Sequence, residues 1–232
     1  MIPRIDASRA LGAYAAVMTA VAGWAILSGV TAGPRQFDTI DVKRINVREN
    51  DGTLRMIVAG RDNIGGLIVE DREYPHPNRS EAGMIFFNDE GTENGGLVFD
   101  GGLKDGKPTN AGSLTFDRWR QDQTVQLRSL EDGLERSAGL VVNDRPDKPM
   151  AFDRMATIRA MPDGPDKRAA MEQAGFGKAE RAYLGSRADR SSELSLRDAA
   201  GRPRLMLRVE GDGAASIRFL DEAGKVVRTT TP

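Results

Sequence analysis

The chain has one histidine and no cysteine, and those two counts close off much of the chemistry open to it. Without cysteine there is no thiol nucleophile, no thiolate zinc site and no disulfide. His76 stands alone in Tyr74-Pro75-His76-Pro77, so a site needing two imidazoles is excluded within one chain. To act as a general base it would need a partner pattern such as Gly-x-Ser-x-Gly, Ser-x-x-Lys or His-Glu-x-x-His, and none is present. The flanking prolines read instead as a stiff extended loop with the ring exposed.

Phosphate, calcium and glycoside chemistry each have one candidate. Gly101-Gly102-Leu103-Lys104-Asp105-Gly106-Lys107 follows most of a Walker A loop, in which backbone N–H groups cradle phosphates and the lysine neutralises charge. Pro108 stands where a magnesium-holding Ser or Thr belongs, and Ser113-Leu114-Thr115-Phe116 reads as a strand where a helix should start, so a Gly-rich hairpin is expected. Asp- and Asn-rich turns carry oxygen ligands that suit calcium, but none has EF-hand or nonapeptide spacing; the same residues tolerate the positive φ of tight turns. The acid neighbours Asp89-Glu90 and Glu131-Asp132 lie on turns, whereas glycoside hydrolysis needs two carboxyls about 5–10 Å apart across a cleft. Asn78-Arg79-Ser80 fits a glycosylation sequon that matters only in a eukaryotic secretory route. No catalytic, metal or cofactor residue is assigned.

Arg118, Trp119 and Arg120 form the one basic and aromatic cluster, suited to anionic lipid headgroups or a protein partner. The competing structural role is an edge-strand device, with the ring buried and the charges solvated. Lys and Arg number 33 against 34 Asp and Glu, a net charge of −1, so no field exists to draw in nucleic acid.

The elements that must position these residues fall into two parts. From Ala10 to Pro34 there is no charged side chain, and apolar residues such as Leu11, Val17, Trp24 and Leu27 spread all round a helical projection. A helix of about 20 such residues crosses about 30 Å of hydrocarbon. We expect a short cytoplasmic tail over 1–9, a transmembrane helix over 10–32 and an extracytoplasmic domain over 33–232. Arg4 and Arg9 before the span set the orientation by the positive-inside rule. The rival is a cleaved signal peptide with Val30-Thr31-Ala32 at the cleavage site, but the apolar run exceeds the usual length of about 7–15 residues. Gly12, Ala16 and Ala20 recur every four residues and offer a low helix face for another helix in the membrane.

Beyond Pro34, short apolar alternations are broken by Gly, Asp and Asn, the pattern of strands joined by tight turns. At the C-terminus Leu205, Leu207 and Val209 alternate with Arg204, Met206 and Arg208, and Ile217 and Phe219 with Ser216 and Arg218. This predicts an antiparallel meander with one buried face. The fold class expected is mainly β: a sandwich, rolled sheet or open barrel, with a short helical insertion near 163–184 and a further turn at Lys178–Ala182. Prolines 146, 149, 162 and 165 mark a junction near 145–165.

These features point first to a non-catalytic accessory or scaffolding subunit of a larger membrane complex, respiratory and photosynthetic assemblies being examples. Its expected partners are other membrane subunits, met through the helix and the β domain, and the lipid bilayer, in the inner (cytoplasmic) membrane. The alternative is a tethered module that binds a periplasmic ligand or envelope component, marked by a pocket with convergent polar groups. An enzyme would need acids from separate strands to meet in a cleft and shift each other's pKa.

Overall fold

The apolar N-terminal run forms one helix, α1 (Ala7–Val30), in a computed structural model that describes residues 7–30, 36–76 and 79–232. Its 24 residues span about 36 Å at the helical rise. Over Ala7–Leu27 the mean hydropathy is 1.7 and none of the apolar window is buried. The helix is long and apolar enough to cross a membrane, and a signal sequence has the same properties. Thr19, its polar interruption, donates Oγ1 to the Ala15 carbonyl at 2.9 Å, so its hydroxyl is satisfied within the helix. Thr31 and Ala32 of the cleavage pattern lie outside the described residues.

The chain divides into two units, Met1–Val42 and Lys43–Pro232. The second is built on strands β1 (Arg44–Arg48), β2 (Leu54–Ala59), β3 (Leu67–Val69), β4 (Arg72–Tyr74), β5 (Ala82–Phe87), β6 (Glu93–Lys104) and β7 (Lys107–Asp117). It continues through β8 (Gln123–Asp132), β9 (Glu135–Asp144), two short helices α2 (Met155–Arg159) and α3 (Pro165–Gln173), then β10 (Ala179–Ser186), β11 (Ser192–Arg197), β12 (Pro203–Val209), β13 (Ala215–Leu220) and β14 (Val226–Thr230). All but β3 and β4 join one 12-stranded antiparallel sheet in chain order. The terminal strands β1 and β14 are not paired with each other, so the sheet is open rather than a closed barrel.

Turn chemistry sets this topology. At Glu49–Thr53, Asn88–Thr92, Asp198–Arg202, Glu210–Ala214 and Asp221–Lys225, the first residue's N–H donates to the fifth residue's carbonyl, and the fourth N–H donates back to the first carbonyl. The fourth residue is left-handed, and glycine takes that backbone without a Cβ clash, as at Gly201 (φ 77°). Turn carboxylates are occupied by the backbone: Asp198 Oδ1 accepts from the Ala200 and Arg202 N–H groups, and Asp221 Oδ1 from those of Ala223 and Lys225. The Walker-like segment is the β6–β7 hairpin, turned by Asp105 and Gly106, both at positive φ.

The helical insertion is shorter than expected. Helix α3 ends before Gly175 (φ 79°), but Lys178–Ala182 does not turn again; Ala179 starts β10. Pairing of β10 with both β9 and β11 accompanies burial of the Tyr183 ring. Strands β9 and β10 are direct neighbours, with Leu140 opposite Leu184, so residues 145–178 are an excursion from one sheet.

The core lies at the N-terminal end of the sheet. Leu54, Ile57, Ala59, Ile64, Ile68, Ile85 and Phe87 form one buried cluster, where the segment carrying β3 and β4 covers one face of β2 and β5. A second cluster joins Val69 to Phe152 and Met155, so the α2 segment packs against that same hairpin.

Candidate interaction surface

Because each strand pairs with its chain neighbour, identical parities line up across the whole sheet. Met84 faces Leu97, which faces Leu114, then Leu127 and Leu140. The row continues through Leu184, Leu194, Leu207 and Ile217. Two residues along each strand runs a parallel row that includes Phe86, Phe116, Val125, Val142, Leu196, Leu205 and Phe219. Residues two apart share a face, so both rows lie on one side of the sheet. Val47 and Ile45 start them on β1; Arg228 and Thr230 end them on β14.

Among the described residues this apolar face is only partly covered. Met84, Phe86, Phe116, Leu127, Leu140, Leu184, Leu196, Leu207, Ile217 and Phe219 keep between 37% (Met84 and Leu140) and 55% (Leu184) of their surface exposed, whereas Leu97, Leu114, Val125, Val142, Leu194 and Leu205 between them are part-buried. The alternation legible in β12 and β13 is therefore present, but the face expected to be buried is open. The reason is topological: the excursions that carry β3–β4 and α2–α3 pack into the buried clusters and not onto the leucine rows.

The opposite face of the C-terminal half carries a charge lattice. Glu193, whose side chain is almost fully buried, accepts from Arg187 Nη2 at 2.7 Å and Arg208 Nη1 at 3.0 Å. Arg208 also donates to Glu210 at 2.9 Å and to Asp189, and Arg218 donates to Glu210 at 3.0 Å. Hydrogen bonds from the Ser191 hydroxyl and N–H, then from Arg208, hold the Asp189 carboxyl down at about 2. Arg187 lies 3.5 Å over the Tyr183 ring, whose hydroxyl donates to the Ser186 carbonyl at 2.6 Å. One face thus pairs its charged groups within the chain, although Ser195 Oγ and Ser216 Oγ are buried there without partners, while the other keeps much of its apolar surface exposed.

A small polar cavity of about 110 Å³ sits where β6 begins and β7 ends, walled by Val69, Phe152, Met155 and Phe176. Glu93 Oε1 accepts from Arg79 Nη2 at 2.6 Å, but its Oε2 has no partner. Asp117 Oδ1, Gln121 Oε1 and His76 Nδ1 are likewise buried without partners. Burial pushes the Asp117 carboxyl up to about 8, helped by the nearby charges of Glu93 and Asp122. Burial also raises Glu93, and it lowers His76 with help from Arg79 and Arg159. The His76 ring is half-buried rather than exposed, because it lines this cavity. Among the described residues no three such side chains meet as a metal site requires.

The other residues singled out by sequence are placed as follows. Gly12, Ala16 and Ala20 are exposed on α1, and apart from the helix's own adjacent backbone nothing described lies within 4 Å of where a Gly12 Cβ would stand. Arg118, Trp119 and Arg120 share one turn. Arg118 donates to the Arg145 carbonyl at 3.0 Å and Asp147 at 2.6 Å; Arg120 donates to Glu90 at 3.0 Å and to Glu70 while lying 4.9 Å over Trp119. The Trp119 ring is half exposed, with Nε1 donating to Glu90 at 3.2 Å. Of the acids expected on turns, Asp89 lies on one and pairs with Arg55, whereas Glu131 and Asp132 end strand β8, where Glu131 pairs with Arg136. Asn78 of the sequon lies outside the described residues, and Arg79 is committed to Glu93. The acids that do meet, Glu93 and Asp117, carried one signal: each flanks a tight turn at the same end of the sheet.

The sequence matches no protein-family model and no curated protein. Function is therefore drawn from the surfaces themselves.

Proposed function

We propose that the protein is a non-catalytic, membrane-tethered accessory subunit that enters a larger assembly through the apolar face of its sheet. Helix α1 is the tether, with the N-terminus cytoplasmic and the β unit beyond the inner membrane. The observation that carries this reading is the double apolar row from β1 to β13, in which ten large side chains from Met84 to Phe219 stay more than a third exposed. Contiguous apolar surface of this extent marks an association site, since monomeric soluble proteins rarely expose more than a few hundred Å² in one patch.

The test places a photo-crosslinking residue at Leu127 or Leu184 and, as the control, at Gln126 on the opposite face, in native membranes. A discrete crosslinked protein from the two leucine positions alone supports the reading; the same faint pattern from all three overturns it. Alkaline washing tests the tether, because a mature chain beginning near Gly33 and released from the membrane would remove it.

A second reading, a ligand-binding module, is favoured by the cavity's unpartnered acceptors on Glu93, Asp117 and Gln121. They suit a small ligand rich in N–H donors. Thermal shifts with ammonium and short primary amines test it, and a shift that disappears in Asp117→Asn would support it.

A further inference from the structure

The leucine face has a shape that narrows what can cover it. Its middle falls between β8 and β9, so Leu127 and Leu140 flank the centre of a row twelve strands wide. From Ile45 to Ile217 no charged side chain enters either row, so nothing in it selects a charged partner. The exposed side chains offer on the order of 1,000 Å² of apolar surface, so a pair would bury about 2,000 Å², within the range of stable interfaces. Two sheets pack face to face when their twists agree, with strands inclined by about 30°. A second copy has the same twist, width and row spacing without further adjustment.

We infer that the apolar face packs on the same face of a second copy of this chain, making a two-layer β sandwich with leucines from both copies as its core. The inference rests on the reading of this face as an assembly surface and names its occupant. Such an interface is isologous: the same patch serves both sides, and the leucines beside the two-fold axis meet their counterparts. The face that carries Glu193, Arg187 and Arg208 is then the outer one, with the arginines part-exposed and the Glu193 carboxylate buried among them. Outward polar and inward apolar alternation is the pattern of a sandwich strand.

The experiment uses the full chain in mild detergent. Light scattering, with detergent mass subtracted, is expected to give twice the chain mass. The double variant Leu127→Asp/Leu140→Asp is expected to give half that value with its β circular dichroism retained. Should that variant misfold, Leu127→Thr/Leu140→Thr replaces it, because threonine keeps β propensity while removing apolar surface. The natural chain has no cysteine, so Leu127→Cys is expected to crosslink to a second copy in native membranes while Gln126→Cys does not. A pair that persists in both double variants would come from elsewhere, α1 included, and overturns the inference. A single-copy mass with Leu127 crosslinked to a different protein overturns the second copy and keeps the assembly reading. A single-copy mass with no crosslink at Leu127 overturns both.

Discussion

Leu127 on β8 and Leu140 on β9 stand directly opposite each other in register, and both keep more than a third of their side chain in solvent. Folding of one chain therefore depends little on either. At a dilution where the mass is that of one chain, Leu127→Thr is expected to change stability by less than ~1 kcal/mol. Ile57→Ala, in the buried cluster, should cost about 2–5 kcal/mol by leaving a cavity. Urea midpoints of the two variants check the contrast; equal losses would mean that the leucine face is buried within one copy.

Asp117 gives the fold a pH dependence of definite sign. Its carboxyl keeps a proton up to about pH 8 in the folded chain, against 3.8 for an ordinary aspartate. The unfolded chain therefore binds fewer protons than the native one between those values. Asp117's contribution to stability is complete below about pH 4 and is lost as pH rises through about 8. Asp117→Asn should flatten that decline and exceed the parent at high pH by on the order of 1–3 kcal/mol. Thermal midpoints of both proteins at about pH 5 and pH 9 read the effect, and parallel curves would dismiss it.

Gly139 admits no side chain. A Cβ there would stand 2.6 Å from the Leu184 carbonyl oxygen and 2.9 Å from the Tyr183 ring. Neither can retreat, since one is sheet backbone and the other lies beneath Arg187. Gly139→Ala is expected to cost roughly 1–3 kcal/mol through forced displacement, although alanine is otherwise at least as good in a strand. A shift in urea midpoint without a change of slope is the signature.

Glu193 binds two strands and a turn through its arginines. Removing its charge leaves Arg187 and Arg208 facing each other with one hydrogen-bond acceptor set weakened. Glu193→Gln should cost on the order of 1–3 kcal/mol, less than a fully buried pair because both arginines retain some solvent. Because the carboxylate is screened from water, the loss should persist in high salt, which exposed pairs such as Arg202 with Glu222 would not show. Unfolding of parent and variant at low and high salt separates the two cases.

Much of the sheet was legible in the chain. Leu205, Leu207 and Val209 alternate with polar neighbours, and Asp198-Ala199-Ala200-Gly201 carries the turn residues its backbone requires, so strands and hairpins follow from local physics. Alternation says which residues share a face, but not whether anything lies on it, so the open state of Ile217 and Phe219 had no sequence signal. Ala179–Ala182 misled because a run of helix formers precedes it and local propensity yields to pairing with β9. Glu93, Asp117 and Gln121 meet only through register across neighbouring turns, which residue types alone do not reveal.

In the large sheet no early strand waits for a late partner. A chain delivered from its N-terminus can therefore zip up in the order of synthesis, each hairpin docking on the edge left by the last. At any moment the advancing front is a single strand, which keeps small the template on which a stray chain could misassemble.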